Sequence, residues 1–149
     1  MNKNDLLETH PFTRYGKCPC RPEKDVIEKT GEIFRKSKDT ASFVEELEKS
    51  RIKGKKIWFD AEQNTIFISK PFACESGGGC AENDSLIGKG CHCDHYNREK
   101  EFYPKHYCQC GAEYYRPMFE PLFGKKIELY PHKTILSGDG ECVIAVKLI

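Results

Sequence analysis

Nine cysteines in a chain of 149 residues, eight of them in pairs, constrain this protein more than any other feature of its sequence. Cys18/Cys20, Cys91/Cys93 and Cys108/Cys110 are each separated by one residue, Cys74/Cys80 span Gly77-Gly78-Gly79, and Cys142 stands alone. The N-terminus, Met1-Asn2-Lys3-Asn4-Asp5, does not lead into the apolar run of about 7 to 15 residues that a secretory leader needs. The expected compartment is therefore the cytoplasm. There, an odd number of cysteines argues against a closed disulfide framework, and clustered thiols point to metal binding or redox chemistry.

Periodicity divides the chain. Residues 1–22 form a polar N-terminal arm ending in Gly16-Lys17-Cys18-Pro19-Cys20-Arg21-Pro22, where Pro and Gly prevent a helix. Val26, Ile27, Thr30, Ile33 and Phe34 then recur on one helical stripe. A second helix is expected from an Asp39 or Thr40 N-cap to about Lys53, with Phe43, Val44 and Leu47 inward and Gly54 as its C-cap. Ser42 and Glu45 offer an alternative capping box. The period changes to 2 in Lys56–Asp60 and Thr65–Ser69, which read as a hairpin around residues 61–64. From about residue 70 to 107 all periodicity is lost. So long an irregular stretch inside a compact domain needs something other than an apolar core to order it, and a metal ion would serve. Gly111 to Phe123 reads as a helix kinked or split by Pro117 and Pro121, with Gly124 as its cap. Lys126–Leu136 reads as a strand bent at Pro131, and Ser137-Gly138-Asp139-Gly140 as a turn. The last run, Glu141 to Ile149, is apolar on both faces and reads as a central strand. The expected architecture is one α+β domain over 1–149. An antiparallel sheet carries helices packed on one side, a Cys/Gly-rich loop at 70–107 is ordered by metal, and 108–149 supplies a helix and the C-terminal strands.

Zinc takes about four N or S ligands in a tetrahedron at roughly 2.0 to 2.3 Å, and two short segments donating two ligands each meet that demand. Cys91, Cys93, Cys108 and Cys110 are the first candidates, followed by Cys80, Cys74 and His95. An iron–sulfur cluster is the neighbouring alternative, although the ferredoxin cysteine spacings are absent. Thiol–disulfide exchange is a third, with Cys108-Gln109-Cys110 the best-placed pair because it precedes an expected helix. Cys142 alternates with Ile144, Val146 and Leu148 and reads as a core thiol.

Lys and Arg number 24 against 23 Asp and Glu, a net charge of +1, which excludes the broad basic footprint of a dedicated nucleic-acid binder. No run of about 18 to 20 apolar residues offers a membrane span. Charge runs such as Lys53-Gly54-Lys55-Lys56 read as solvated faces. Aromatics are dense from Phe102 to Phe123; core packing explains most of them, and the surplus would line a pocket for a small apolar or aromatic ligand.

The run from Tyr107 to Lys147 carries Cys-x-Cys-Gly, an aromatic helix, Leu122-Phe123-Gly124-Lys125-Lys126-Ile127, and Lys133-Thr134-Ile135-Leu136-x-Gly138-Asp139-Gly140-x-Cys142. It resembles the end of domains in the 4-vinyl-reductase superfamily, whose α+β fold is shared with vesicle-transport-particle subunits. The resemblance aligns Cys108 or Cys110 with the cysteine before the helix, Gly138-Asp139 with the turn between the last two strands, and Cys142 with the strand thiol. It implies zinc held by cysteines and a glutamate beside a small phenolic ligand, as in aromatic-sensing input domains. Glu99 and Glu101 are the carboxylates available here. The segment Lys133 to Cys142 is also similar to the end of aminothiazoline-carboxylate hydrolase-like proteins.

The leading expectation is a zinc-binding domain that binds or senses a small molecule. The rival is a cysteine- or zinc-dependent hydrolase of a small substrate, with His95 or His106 as base. A protein-interaction module, supported by an exposed apolar patch around Trp58 and Phe67, and an iron–sulfur redox protein complete the alternatives. The hairpin's edge strand would offer a route to a homodimer.

Overall fold

In the computed structural model the residues described are 22–54, 56–70, 109–124, 126–134 and 139–149, with the backbone alone for Cys110. Two helices come first, α1 over Lys24–Lys36 and α2 over Thr40–Ser50, followed by strands β1 (Lys56–Asp60) and β2 (Thr65–Lys70). Two short helices, α3 (Gln109–Glu113) and α4 (Arg116–Phe123), precede β3 (Ile127–Lys133) and β4 (Cys142–Leu148). The four strands form one antiparallel sheet in the order β1-β2-β4-β3. The α+β class and the central position of the last strand are as the sequence implies.

Alternation sorts the sheet into two faces. Ile57, Ile66, Ile68, Ile144, Val146, Ile127 and Leu129 pack against Val26, Phe43, Val44, Leu47, Ala112, Tyr115, Met118 and Phe119 of the helices and their junction. Phe67, Val143 and Ala145 occupy the other face, with Trp58 and Tyr130 against them. Phe34 locks the helical layer, its ring meeting Phe43 and Phe123 edge-on at 5.2 Å in each case. Such pairs add about 0.5 to 1.5 kcal/mol to the burial of the rings themselves.

Three boundaries differ from the sequence reading. Helix α2 ends at Ser50 because Arg51 takes the left-handed conformation (φ 52°) and its N–H donates to the Glu48 carbonyl, so the helix closes before Gly54. At its other end Asp39 is the cap, accepting from the Ser42 N–H at 2.8 Å. The helix break expected at Pro117 and Pro121 falls instead at Tyr114-Tyr115. Pro117 sits in the first turn of α4, where its missing N–H costs nothing, and Pro121 is accommodated inside that short helix. Strand β3 ends at Lys133, with the register shift at Pro131/Lys133 that a missing proline N–H imposes on a ladder.

Candidate functional site

The strands place distinct groups at the two ends of the sheet. The hairpin end joins Asp60 to Thr65 and holds Leu148 and Ile127. The opposite end brings together Lys56, Lys70, Cys142 and Lys133, and it is where residues 71–108 leave the sheet, from β2.

Lys70 dominates this second end. It continues the inward alternation of Ile66 and Ile68, so its side chain runs beneath the helices rather than into solvent, and the residue is only 3% exposed. Its Nζ donates to the Gly111 carbonyl at 3.3 Å and lies over the Tyr115 ring at 5.3 Å from the centroid. The residue that closes β2 is thereby tied to the first turn of α3, so the point where residues 71–108 begin and the point where they end stand within one side-chain length of each other.

Cys142 faces Lys70 directly across the β2–β4 pair and is 2% exposed. Paired residues of an antiparallel sheet share a face with Cβ atoms about 4.5 to 5.5 Å apart, so the thiol and the lysine stem are neighbours on the helix-covered side. Helix α3 is fixed by Gln109, whose Nε2 donates to the Leu129 carbonyl at 2.7 Å and to Glu113 Oε1 at 3.2 Å. Arg116 holds α4 to α3, bonding Glu113 and reaching Glu120 at 2.7 Å. The Glu113 hydrogen bond raises the guanidinium's pKa above its ordinary value against the opposing effect of burial, so this cation stays charged. On the opposite face Ser69 Oγ donates to Glu141 Oε2 at 2.9 Å. The last turn is pinned by Thr134 N–H to Asp139 Oδ2 at 2.9 Å and Asp139 N–H to the Thr134 carbonyl at 3.0 Å.

Of the candidate ligands, Cys110 lies within α3, one residue after the helix begins, rather than ahead of it. Cys74, Cys80, Cys91, Cys93, His95 and Cys108 lie outside the described residues, as do Cys18, Cys20, Glu99, Glu101 and His106. Among the described residues no group of three or more His, Cys, Asp or Glu is arranged to hold a metal ion. A buried cysteine and the helix carrying Cys110 flank a buried cation, and Glu113, Glu141 and Asp139 are each engaged elsewhere.

The described aromatics are core. Tyr114, Tyr115 and Phe119 are 1% exposed or less. A groove of about 430 Å³ between α1 and α4 is lined by Ile27, Gly31, Arg35, Pro117, Met118 and Leu122 among others. A basic one of about 600 Å³ is lined by Glu48, Lys49, Arg51, Lys53, Lys56 and their neighbours. Neither presents a cysteine, histidine or aromatic ring. Phe67, expected in an exposed patch with Trp58, is 4% exposed and stacked on Trp58 at 5.4 Å, so that patch does not stand open. Lys70 is the group that sequence reasoning missed. Its signal was present, since position 70 extends the Ile66, Ile68 alternation, but a lysine there reads as the end of the strand.

No helix of the described residues is long and apolar enough to cross a membrane. Neither the protein-family models nor the curated proteins compared with the chain give a match.

Proposed function

We propose that this chain is a metal-binding domain in which clustered cysteines hold zinc, and that the metal orders residues 71–108 beside a site for a small apolar or aromatic molecule. The observation that carries this reading is the Lys70–Gly111 hydrogen bond, which fixes the two ends of the cysteine-bearing segment together. With those ends joined, Cys74, Cys80, Cys91, Cys93 and His95 lie in one closed stretch of chain that returns at Cys108 and Cys110. Closing a metal site within a loop already pinned at its base costs less chain entropy than recruiting ligands from unconnected segments. Binding of structural Zn²⁺ is worth about 10 kcal/mol or more in small domains, enough to order a segment too rich in Gly and charge to build an apolar core. The small-molecule part rests on the resemblance of Tyr107–Lys147 to aromatic-sensing domains. On this reading the protein acts in the cytoplasm, where thiolates stay reduced, and with a net charge of +1 it does not engage nucleic acid.

Elemental analysis of anaerobically purified protein, with a parallel titration of reactive thiols, tests the proposal. About one or two zinc per chain with few reactive thiols is the expected result. Iron with acid-labile sulfide would move the protein to the iron–sulfur class. Metal-free protein with most thiols reactive would overturn the reading.

A further inference from the structure

An exposed sheet edge is a row of unpaired N–H and C=O groups onto which another strand can add. Among the described residues the two edges are β1 and β3. On β3 the Leu129 carbonyl accepts from Gln109 Nε2 at 2.7 Å, Pro131 has no N–H to offer, and the register shifts at Pro131/Lys133. On β1 the covering contact comes from one residue of α2. Ile57 N–H turns away from β2 and donates to Glu48 Oε2 at 2.8 Å. Donors alternate along an antiparallel strand, so Phe59, two residues on, turns the same way. Glu48 has no other evident reason to be there. It stands in the last turn of α2, where the helix dipole favours a cation. Glu45 and Glu46 both reach Lys49, whereas Glu48 forms no ion pair among the described residues and bonds the strand instead.

The strand it covers is suited to pair with a copy of itself. In a two-fold antiparallel pairing centred on Trp58, Lys56 meets the second copy's Asp60 and Ile57 meets its Phe59. Opposite charges thus face each other at both ends, with apolar side chains between them, the combination that stabilises cross-strand pairs. Ile57 and Phe59 would exchange the new hydrogen bonds, because theirs are the backbone groups that turn outward. The Ile57 N–H needed for that ladder is the one Glu48 holds. We infer that Glu48 guards the edge of β1 and keeps a second copy of this chain from adding its own β1 there. The carboxylate occupies the donor that pairing needs and leaves a charge beside the edge, one of the ways in which edges are kept from joining. The hairpin's edge strand is therefore present but closed to a homodimer.

The test uses the full chain under reducing conditions, so that no intermolecular disulfide counts as association. Glu48→Ala removes the acceptor at an exposed helical position that alanine suits, and Glu48→Gln keeps an acceptor oxygen without the charge. Light scattering over a concentration series reads the mass, and hydrogen exchange at the Phe59 N–H reads the edge itself. The mass of Glu48→Ala is expected to rise with concentration toward twice that of the parent, with Phe59 exchange slowing in step. Parent and Glu48→Gln are expected to keep one mass throughout and fast exchange at Phe59. A merely structural Glu48 would lower the urea midpoint of Glu48→Ala and leave its mass at the parental value, which overturns the inference. Association of Glu48→Ala with Phe59 exchange unchanged lies at another surface and overturns it too. So does a Glu48→Gln chain that pairs as readily as Glu48→Ala, or a parent whose own association already protects Phe59. If Glu48→Ala fails to fold, Glu48→Met, which keeps the length of the side chain without the carboxylate, is read against the same outcomes.

Discussion

At the hairpin end of the sheet the strands stop in backbone and turn chemistry; at the other end they stop in buried side chains. The hairpin is tied by Asp60 Oδ1, which accepts from the Glu62 and Gln63 N–H groups at 3.0 and 3.1 Å. The C-terminal strand is tied by Leu148 N–H to the Asn64 carbonyl and Ile149 N–H to the Lys126 carbonyl, both at 2.9 Å. Each of these described partners is local, exposed or main-chain. At the far end Lys70, Cys142, Thr134 and Ser69 are all 3% exposed or less, and Lys70 and Ser69 take their partners, Gly111 and Glu141, from distant parts of the sequence. Among the described residues, one sheet thus has an end closed by turn and main-chain contacts and an end where polar side chains are deeply buried. Burying a lysine costs free energy that an aliphatic residue would not, and the proposed function places its site at this second end, called the functional end below.

The largest effect should come from removing the ring on which that end rests. Tyr115 is fully buried and lies beneath the Lys70 ammonium. Tyr115→Ala should cost about 3 to 5 kcal/mol in urea unfolding, the range for losing a large buried aromatic. A cost below about 1 kcal/mol would show that the end is not supported by the core, and the contrast between the ends would fail.

Next in size is Gly54, in the connection that leads into β1 at the same end. Its φ is +84°, and an added Cβ would stand 2.9 Å from Ile68 Cγ2. Gly54→Ala should cost about 3 kcal/mol, combining left-handed backbone strain with overpacking of a core isoleucine. Gly124 supplies the control. Its φ is +73° but its surroundings are open, so Gly124→Ala should cost about 1 to 2 kcal/mol from backbone strain alone. Equal costs at the two glycines, measured by urea midpoints at constant slope, would mean that Ile68 yields and that the functional end is looser than its burial implies.

What the sequence disclosed divides along the same line. The helices of residues 24–50, the hairpin and the central strand follow from apolar spacing, because one face of each must meet the core and the period of that face is written in Val26, Phe43, Ile57 and Ile144. The end of α2 was misplaced because a left-handed arginine is not a composition signal, and Gly54 offered a more conventional stop. Lys70 was illegible for a physical reason: a charged residue at an inward position violates the pattern by which inward positions are recognised. The cysteine spacing announced chemistry without geometry, since Cys-x-Cys chelates only where the backbone bends, and spacing does not report a bend. Cys142 was readable as buried, but its pairing with Lys70 depends on a β2–β4 register set by residues far apart in the chain.

Asn64 sharpens the comparison from the hairpin end. It adopts φ 51° in the turn, and its Nδ2 donates to the Leu148 carbonyl at 3.0 Å, closing the last strand onto the hairpin. Asn64→Ala should cost about 1 kcal/mol for the lost hydrogen bond, with some backbone strain added. On the proposed reading zinc content should be unaffected, because among the described residues Cys142 stands at the opposite end of the last strand. A variant that lost both stability and metal would show that the ends are coupled, and the division into a structural and a functional end would have to be abandoned.

The smallest effect belongs to neither end and sets the baseline for acid sensitivity. Asp39 caps α2, and the hydrogen bond from the Ser42 N–H is the main reason its carboxyl is held below the ordinary carboxylate value. A group whose folded pKa is depressed stabilises the fold above its unfolded value, about 3.9, and that stability disappears as pH falls through the lower folded value. Asp39→Asn keeps an acceptor oxygen for the Ser42 N–H and removes the titration. Parent and variant should therefore melt together near neutral pH, and only the parent should lose this contribution below about pH 4. Thermal melts from pH 7 downward would check this. Curves that stay parallel throughout would remove Asp39 as a source of acid sensitivity and leave the remaining carboxylates or the cysteine-bearing end to account for whatever acid unfolding is seen. If metal-loaded protein then shows a further loss of stability above pH 4 that chelator-treated protein lacks, that excess comes from proton competition for zinc ligands and is assigned to the functional end.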